Sequence, residues 1–213
     1  MVPVLQLGVK MKVMDESINT NKEYSAAINP IDYAMAAGEL ILKAVGEDIN
    51  REGITKTPQR FSKAIHELCS GYMLTPEQAV GGGVFPGEGK GLISIKDVEF
   101  YSLCEHHMLP FWGTASVAYY PNDNIVGLSK IPRLIDVYAK RLQVQERLTH
   151  QVCNSLHKLI NARAVVVRIT GCHMCMMMRG VKKHNSQTVT EASIGMDKLT
   201  ELEQTRIWKS VES

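Results

Sequence analysis

Residues 92–121 read LISIKDVEFYSLCEHHMLPFWGTASVAYYP. LISIKDVEFYSL alternates apolar and polar groups as a half-buried strand does, and GTASVAYYP reads as its hairpin partner. Between them lies CEHH, a cysteine, a carboxylate and two imidazoles in four positions, crowning a strand-to-strand connection. Thiol and imidazole are metal ligands and proton carriers, so this hairpin sets both the architecture and the place to look for chemistry.

Working outward, PIDYAMAAGELILKAVGED (30–48) spaces its apolar groups as a helix, with Pro30 suited to the first turn. TPQRFSKAIHELCSGY (57–72) predicts a second helix, capped by Thr57, with Pro58 in its first turn and Gly71 as its stop. GGGVFPGEGKG (81–91) invites a phosphate-loop reading, but Gly91 follows Lys90 where Ser or Thr is required, so a plain flexible loop is expected. After the hairpin, SKIPRLIDVYAKRL and QVQERLTHQVCNSLHKLI predict two amphipathic helices. AVVVRITGCHMCMMM (164–178) reads as a central strand running into methionines, TVTEASIG as a short last strand, and MDKLTELEQTRIWKSV as a terminal helix. The sum is an α+β fold with a largely antiparallel sheet and packed helices. Residues 1–28 read as a flexible arm, 29–75 as an N-terminal helical portion and 76–213 as the main domain, which carries the CEHH hairpin.

Composition narrows the classes. The 213 residues are 45% hydrophobic and 22% charged, with net charge +2, which is ordinary for a soluble domain and offers no basic field for nucleic acid. No apolar stretch reaches the roughly 18–20 residues that span a bilayer. Charges interrupt the opening MVPVLQLGVKMKVMDES before a signal-peptide core forms. A cytoplasmic protein is expected. The cysteines (Cys69, Cys104, Cys153, Cys172, Cys175) are too few and odd in number for a disulfide framework. Cys69 and Cys153 read as small core residues on helical faces.

The other three cysteines keep company with histidine. Cys104 and His107, three apart, can face one point across a tight turn, leaving His106 free as an acid or base. If 165–177 is extended, the period of two puts His173 and Cys175 on one face and Cys172 on the other. Two zinc readings follow. Cys104, His107, Cys172 and Cys175 would close a four-ligand structural site; alternatively Cys104, His107 and Cys175 hold the ion and leave its fourth position to water. Strand alternation and the two spare imidazoles favour the open site, although a bend at Gly171 would readmit Cys172. For a substrate, GLSKIPR sets Ser129, Lys130 and Arg133 at a helix start suited to a polyphosphate, and Arg179 follows the metal strand. Gln145 and Glu146 open another helix, where a carboxylate can pair with a neighbouring arginine or accept from an amidine-like edge such as that of guanine.

CEHHMLPFWG, VGLSKIPRLIDVYAKRLQVQERLTHQV, HMCMMMRGVKK and SQTVT together resemble the GTP cyclohydrolase I family, and EDINREGITKTPQRFSKAIHELCSGY is similar to its helical N-terminal portion. The resemblance covers about residues 32–195. It implies Zn2+ held by Cys104, His107 and Cys175, and catalysis by His106 and His173. It implies triphosphate binding by Ser129, Lys130, Arg133 and Arg179, and guanine recognition by Gln145 and Glu146. It also implies a tunnelling fold, a ring-shaped homodecamer with active sites between subunits, and conversion of GTP and water to 7,8-dihydroneopterin triphosphate and formate, opening pterin and folate biosynthesis. Three departures stand out: Cys172 adds a thiol near the metal, GKGL (89–92) replaces an acidic stretch, and EASIGMDKL (191–199) lacks the usual small-residue pattern.

Overall fold

The computed structural model describes residues 30–212; the arm expected over 1–28 lies outside them. The chain opens with helices α1 (Pro30–Ala44) and α2 (Thr57–Leu68), a 3-10 turn (Ser70–Met73) and the short α3 (Pro76–Val80). Strands β1 (Val84–Pro86), β2 (Ile93–Cys104), β3 (Pro110–Tyr120) and β4 (Asn124–Val126) follow. Helix α4 (Lys130–Ala139), strand β5 (Leu142–Gln143) and helix α5 (Gln145–Ile160) come next. Strand β6 (Ala164–His173), helix α6 (Met174–Met177), strand β7 (Thr188–Ile194), a 3-10 turn (Met196–Lys198) and helix α7 (Glu201–Lys209) complete the order. None of these helices is long and apolar enough to cross a membrane.

The α+β expectation holds: five strands form one sheet in the order β5-β2-β3-β6-β7, antiparallel except for β5. The hairpin read from residues 92–121 is its centre. Its first strand carries a bulge, because the register steps from Ile95↔Val117 to Val98↔Ala115 and Asp97 takes a φ of 56°. The extra residue switches the inward parity from odd (Ile93, Ile95) to even (Val98, Phe100), and all four side chains stay on the core side. Helices α4 and α5 cover that face, burying Leu134, Ile135, Leu148, Val152 and Leu156 against Phe100, Phe111, Val117, Val165 and Val167. Truncating one of those leucines to alanine costs about 2–5 kcal/mol. The opposite face, with Ala118, Tyr120, Ala164 and Val166, is covered by Leu199, Ile207 and Val211 from the C-terminal segment.

Several local expectations need correction. Lys56, not Thr57, occupies the cap position of α2, and its side chain makes no capping bond. Helix α2 ends at Leu68, so Gly71 is not its stop; its amide donates to Lys140 O at 2.9 Å, and a Cβ there would sit 2.4 Å from Val137 O. Glycine is needed because backbone meets backbone. Cys69 is only half-buried at that helix end, whereas Cys153 is buried in α5. Part of the loop expected over 81–91 is strand: Val84, Phe85 and Pro86 pair with Val126, Ile125 and Asn124. The terminal helix begins late, since Thr200 accepts from Glu203 N while the Glu203 carboxylate accepts from Thr200 N, a capping box that starts α7 afresh.

The largest correction concerns the strand expected to run through the methionines. The β6–β7 ladder stops at Gly171↔Thr188 and the β3–β6 ladder at Phe111↔His173. Beyond His173 an extended backbone has no partner on either side. It turns helical instead, with Met178 N donating to Met174 O at 3.0 Å. Cys175 therefore rides on a helical turn rather than on a strand.

Candidate active site

Four segments meet at one end of the sheet. The β2–β3 connection is tied down by Met108 N to Cys104 O (2.8 Å), Cys104 N to Leu109 O (2.9 Å) and Glu105 N to Gln143 O (2.9 Å). The two-residue β5 pairs Gln143 beside Cys104, which delivers the first turn of α5 to the same place. Strand β6 supplies His173, opposite Phe111, and α6 supplies Cys175. The result is a cleft of about 220 Å³ lined by Cys104, His106, Gln143, Val144, Gln145, Glu146, His173, Cys175, Met176 and Thr188.

Ligand atoms of Cys104, His107 and Cys175 lie within 4.8 Å of one another, and Cys104 Sγ is 3.9 Å from His107 Nδ1. In a tetrahedral site with bonds of 2.0–2.3 Å, ligand atoms stand roughly 3.3–3.8 Å apart, so the three groups need only a small closure to hold an ion. Sulfur and imidazole donors suit zinc among the common divalent ions. Desolvation, then the neighbouring Cys104 thiol, pushes the Cys175 thiol above its ordinary value, with Arg179 opposing. Two thiols so placed favour a cation between them. Cys172 is absent from this group. It shares the β6 parity of Ala164 and Val166, which face α7, while His173 shares that of Val165 and Ile169, which face α5. The side assignment made from alternation thus holds for Cys172 although the strand ends at His173.

His173 is the better anchored of the two spare imidazoles. Its ring stacks on Phe111 with centroids 4.7 Å apart and planes at 3°, and its Nε2 is 2.9 Å from Gln145 Oε1. Burial lowers its pKa, while the Glu146 carboxylate pulls the other way. His106 is exposed; its Nδ1 is 3.8 Å from Cys104 Sγ and its Nε2 is 3.9 Å from Glu105. The arginine that follows Glu146 does not pair with it. Arg147 instead binds Glu105, holding that carboxyl below the usual range, and Arg147 Nε donates to Gln143 Oε1 at 2.9 Å. Among the described residues Glu146 makes no ion pair, and it faces the cleft.

This pattern of thiol, imidazole and carboxylate is matched by the sequence as a whole. The sequence model of the GTP cyclohydrolase I family fits residues 34–212. The chain belongs to the GTP cyclohydrolase I family. It is a hydrolase of that family, and three similar proteins show how far the likeness runs. It is 51% identical over 160 residues to GTP cyclohydrolase 1 of Leptospira biflexa, covering 75% of this chain and 87% of that one. It is 52% identical over 155 residues to GTP cyclohydrolase 1 of Deinococcus radiodurans, covering 73% and 72%. With GTP cyclohydrolase 1 of Chlorobaculum tepidum the identity is 46% over 181 residues, covering 85% and 78%.

The other candidate residues of this family member are divided. Arg179 follows α6, exposed and near Cys175. Ser129, Lys130 and Arg133 do not line the cleft. Ser129 and Arg133 are exposed at the start of α4, Lys130 lies along Gly83, and Arg133 borders a separate hollow of about 290 Å³ beside Gly71, Leu74 and Asp136. The Gln145 side chain is buried and engaged inside the protein. Sequence reasoning missed Phe111, Gln143 and Thr188. Phe111 was legible in principle, since extending the hairpin partner two residues upstream of Gly113 sets it opposite His173; Gln143 and Thr188 carry no local signal.

Proposed function

We propose that the protein is a zinc-dependent enzyme that hydrolyses and rearranges GTP to 7,8-dihydroneopterin triphosphate with release of formate, the opening step of pterin and folate biosynthesis. One observation carries the reading: the Cys104, His107 and Cys175 ligand atoms converge within 4.8 Å on a cleft that also holds His106, His173 and Glu146, whose carboxylate makes no ion pair among the described residues. A zinc ion there supplies Lewis acidity, which brings the pKa of water down to near neutrality.

Glu146 accepts from the N1 and N2 donors of guanine, an edge that adenine does not offer. His173 gives a proton to N7, which makes C8 electrophilic toward water. His106, exposed beside the ligand His107, moves protons during ring opening and the later ribose rearrangement. Positioned acids and bases of this kind are each worth roughly 100- to 10,000-fold. Ser129, Lys130, Arg133 and Arg179 bind the triphosphate.

Two observations support a site shared between chains. The cleft, at about 220 Å³, falls below the roughly 300–1,000 Å³ of pockets that enclose a whole ligand. Ser129, Lys130 and Arg133 lie outside it. A neighbouring copy presenting its α4 start over the cleft would complete the site, in a tunnelling-fold ring of ten copies in the cytoplasm, where the five free thiols stay reduced. The test is incubation of purified, zinc-loaded protein with GTP. Formate and a pterin, fluorescent after oxidation, should appear together; inorganic phosphate without formate would make the protein a different hydrolase.

A further inference from the structure

Gln145 opens α5, yet its side chain is turned inward, at 1% exposure. Its amide nitrogen lies 2.9 Å from Thr188 O, 3.1 Å from Ile169 O and 3.1 Å from Thr190 Oγ1. Two of these are carbonyls, which only accept. The third is constrained as well. Thr149 Oγ1 gives its proton to Gln145 O at 2.8 Å, so in the 2.6 Å contact between the two threonine hydroxyls Thr190 is the donor and is left to accept from the amide. Flipping the amide would set its oxygen against two carbonyl oxygens. The orientation is fixed, and Oε1 is the atom that meets His173 Nε2 at 2.9 Å.

An oxygen at that point requires His173 to carry a proton on Nε2, which leaves Nδ1 as the nitrogen able to exchange a proton with a ligand. Phe111, stacked on the ring, holds its plane. A second, independent feature guards the same contact. A Cβ at Gly171 would stand 2.4 Å from Gln145 Oε1, while its next-nearest atoms, Gln145 Cδ and Trp112 O, would be at 3.2 and 3.5 Å. Gly171 is not in the left-handed region, so its backbone does not demand glycine. The space for the amide does.

We infer that Gln145 is a positioning residue that fixes the tautomer and ring plane of His173, and that Gly171 keeps open the space its amide occupies. That His173 Nδ1 works on guanine rests on the function proposed above; the tautomer does not. The test is 15N NMR of histidine-labelled, zinc-loaded protein at about pH 8.5, where an ordinary imidazole is neutral. The His173 signals are identified by their loss in His173→Ala. The wild type should show Nε2 protonated and Nδ1 bare, while Gln145→Leu and Gly171→Ala should show both tautomers. In GTP turnover both variants should lose kcat by on the order of 10- to 100-fold, the usual effect of removing an orienting partner. KM should stay within about twofold and the zinc content should not change.

Gly171→Ala leaves Ile169 O, Thr188 O and Thr190 in place, so it carries the test by itself should Gln145→Leu fail to fold. A proton on Nδ1 in the wild type, or a tautomer unmoved in the variants, overturns the inference. So does a raised KM with kcat intact, which would make Gln145 a substrate contact. A locked tautomer in a protein that does not turn over GTP would sink the proposed function and leave the positioning role standing.

Discussion

The cleft beside Cys104 and the start of α4, which the proposed function joins as two halves of one site, are built in opposite ways. At the cleft, groups far apart in sequence (Cys104, Glu146, His173, Cys175) are drawn together by strand pairing and a two-residue parallel ladder. At α4, Ser129, Lys130 and Arg133 are neighbours in sequence, yet they lie away from that cleft. In the proposed function, metal and proton chemistry is assembled within one chain, and phosphate chemistry is displayed outward for another. The difference teaches that contiguity in sequence does not by itself make a site; under the proposed function a second copy supplies the missing enclosure.

The sharpest way to break this comparison is to remove the metal. Cys104→Ala, His107→Ala and Cys175→Ala should each lose zinc by elemental analysis and all pterin formation, whereas Cys172→Ala should keep both. Equal zinc loss from Cys172→Ala would restore the closed four-ligand site. Next in size are the imidazoles. His106→Ala and His173→Ala should retain zinc and drop pterin formation by roughly 100- to 10,000-fold each. The variant blocked at the later step should accumulate a formamide intermediate without free formate. Near wild-type rates in both would reduce the cluster to metal binding.

Smaller effects sharpen the substrate side. Glu146→Gln removes a charged acceptor from the cleft and should cost on the order of 2–3 kcal/mol in kcat/KM for GTP. Unchanged turnover would take Glu146 out of the site. Lys130→Ala, Arg133→Ala and Arg179→Ala should raise the GTP KM with zinc retained. Variants that dissociate in light scattering while keeping normal kinetics would instead assign these cations to an interface.

Much of this was legible because period and spacing are local. Cys104 and His107, three apart on a turn, and the parity of Cys172 could be read without a fold. The β2 bulge is also visible once seen, as the switch from Ile93 and Ile95 to Val98 and Phe100. What could not be read depends on partners distant in the chain. Residues 174–177 carry strand-like apolar character, yet they turn helical because both ladders end at His173. Val84–Pro86 pairs with Asn124–Val126 across some forty residues, so its glycine-rich surroundings read as loop. The lock on His173 needs Gln145, Thr188 and Thr190 at once, a coincidence no window of sequence contains.

The claim that two chains complete one site is tested most directly by mixing two variants. Cys175→Ala lacks the metal half and Arg133→Ala the phosphate half, so each should be nearly inactive alone at GTP well below the wild-type KM. Dissociated and reassembled together in equal amounts, they should recover roughly a quarter of wild-type activity, the share of head-to-tail interfaces that unite one intact half from each variant. Activity no higher than the mean of the two separate variants would place both halves in one chain and contradict the account.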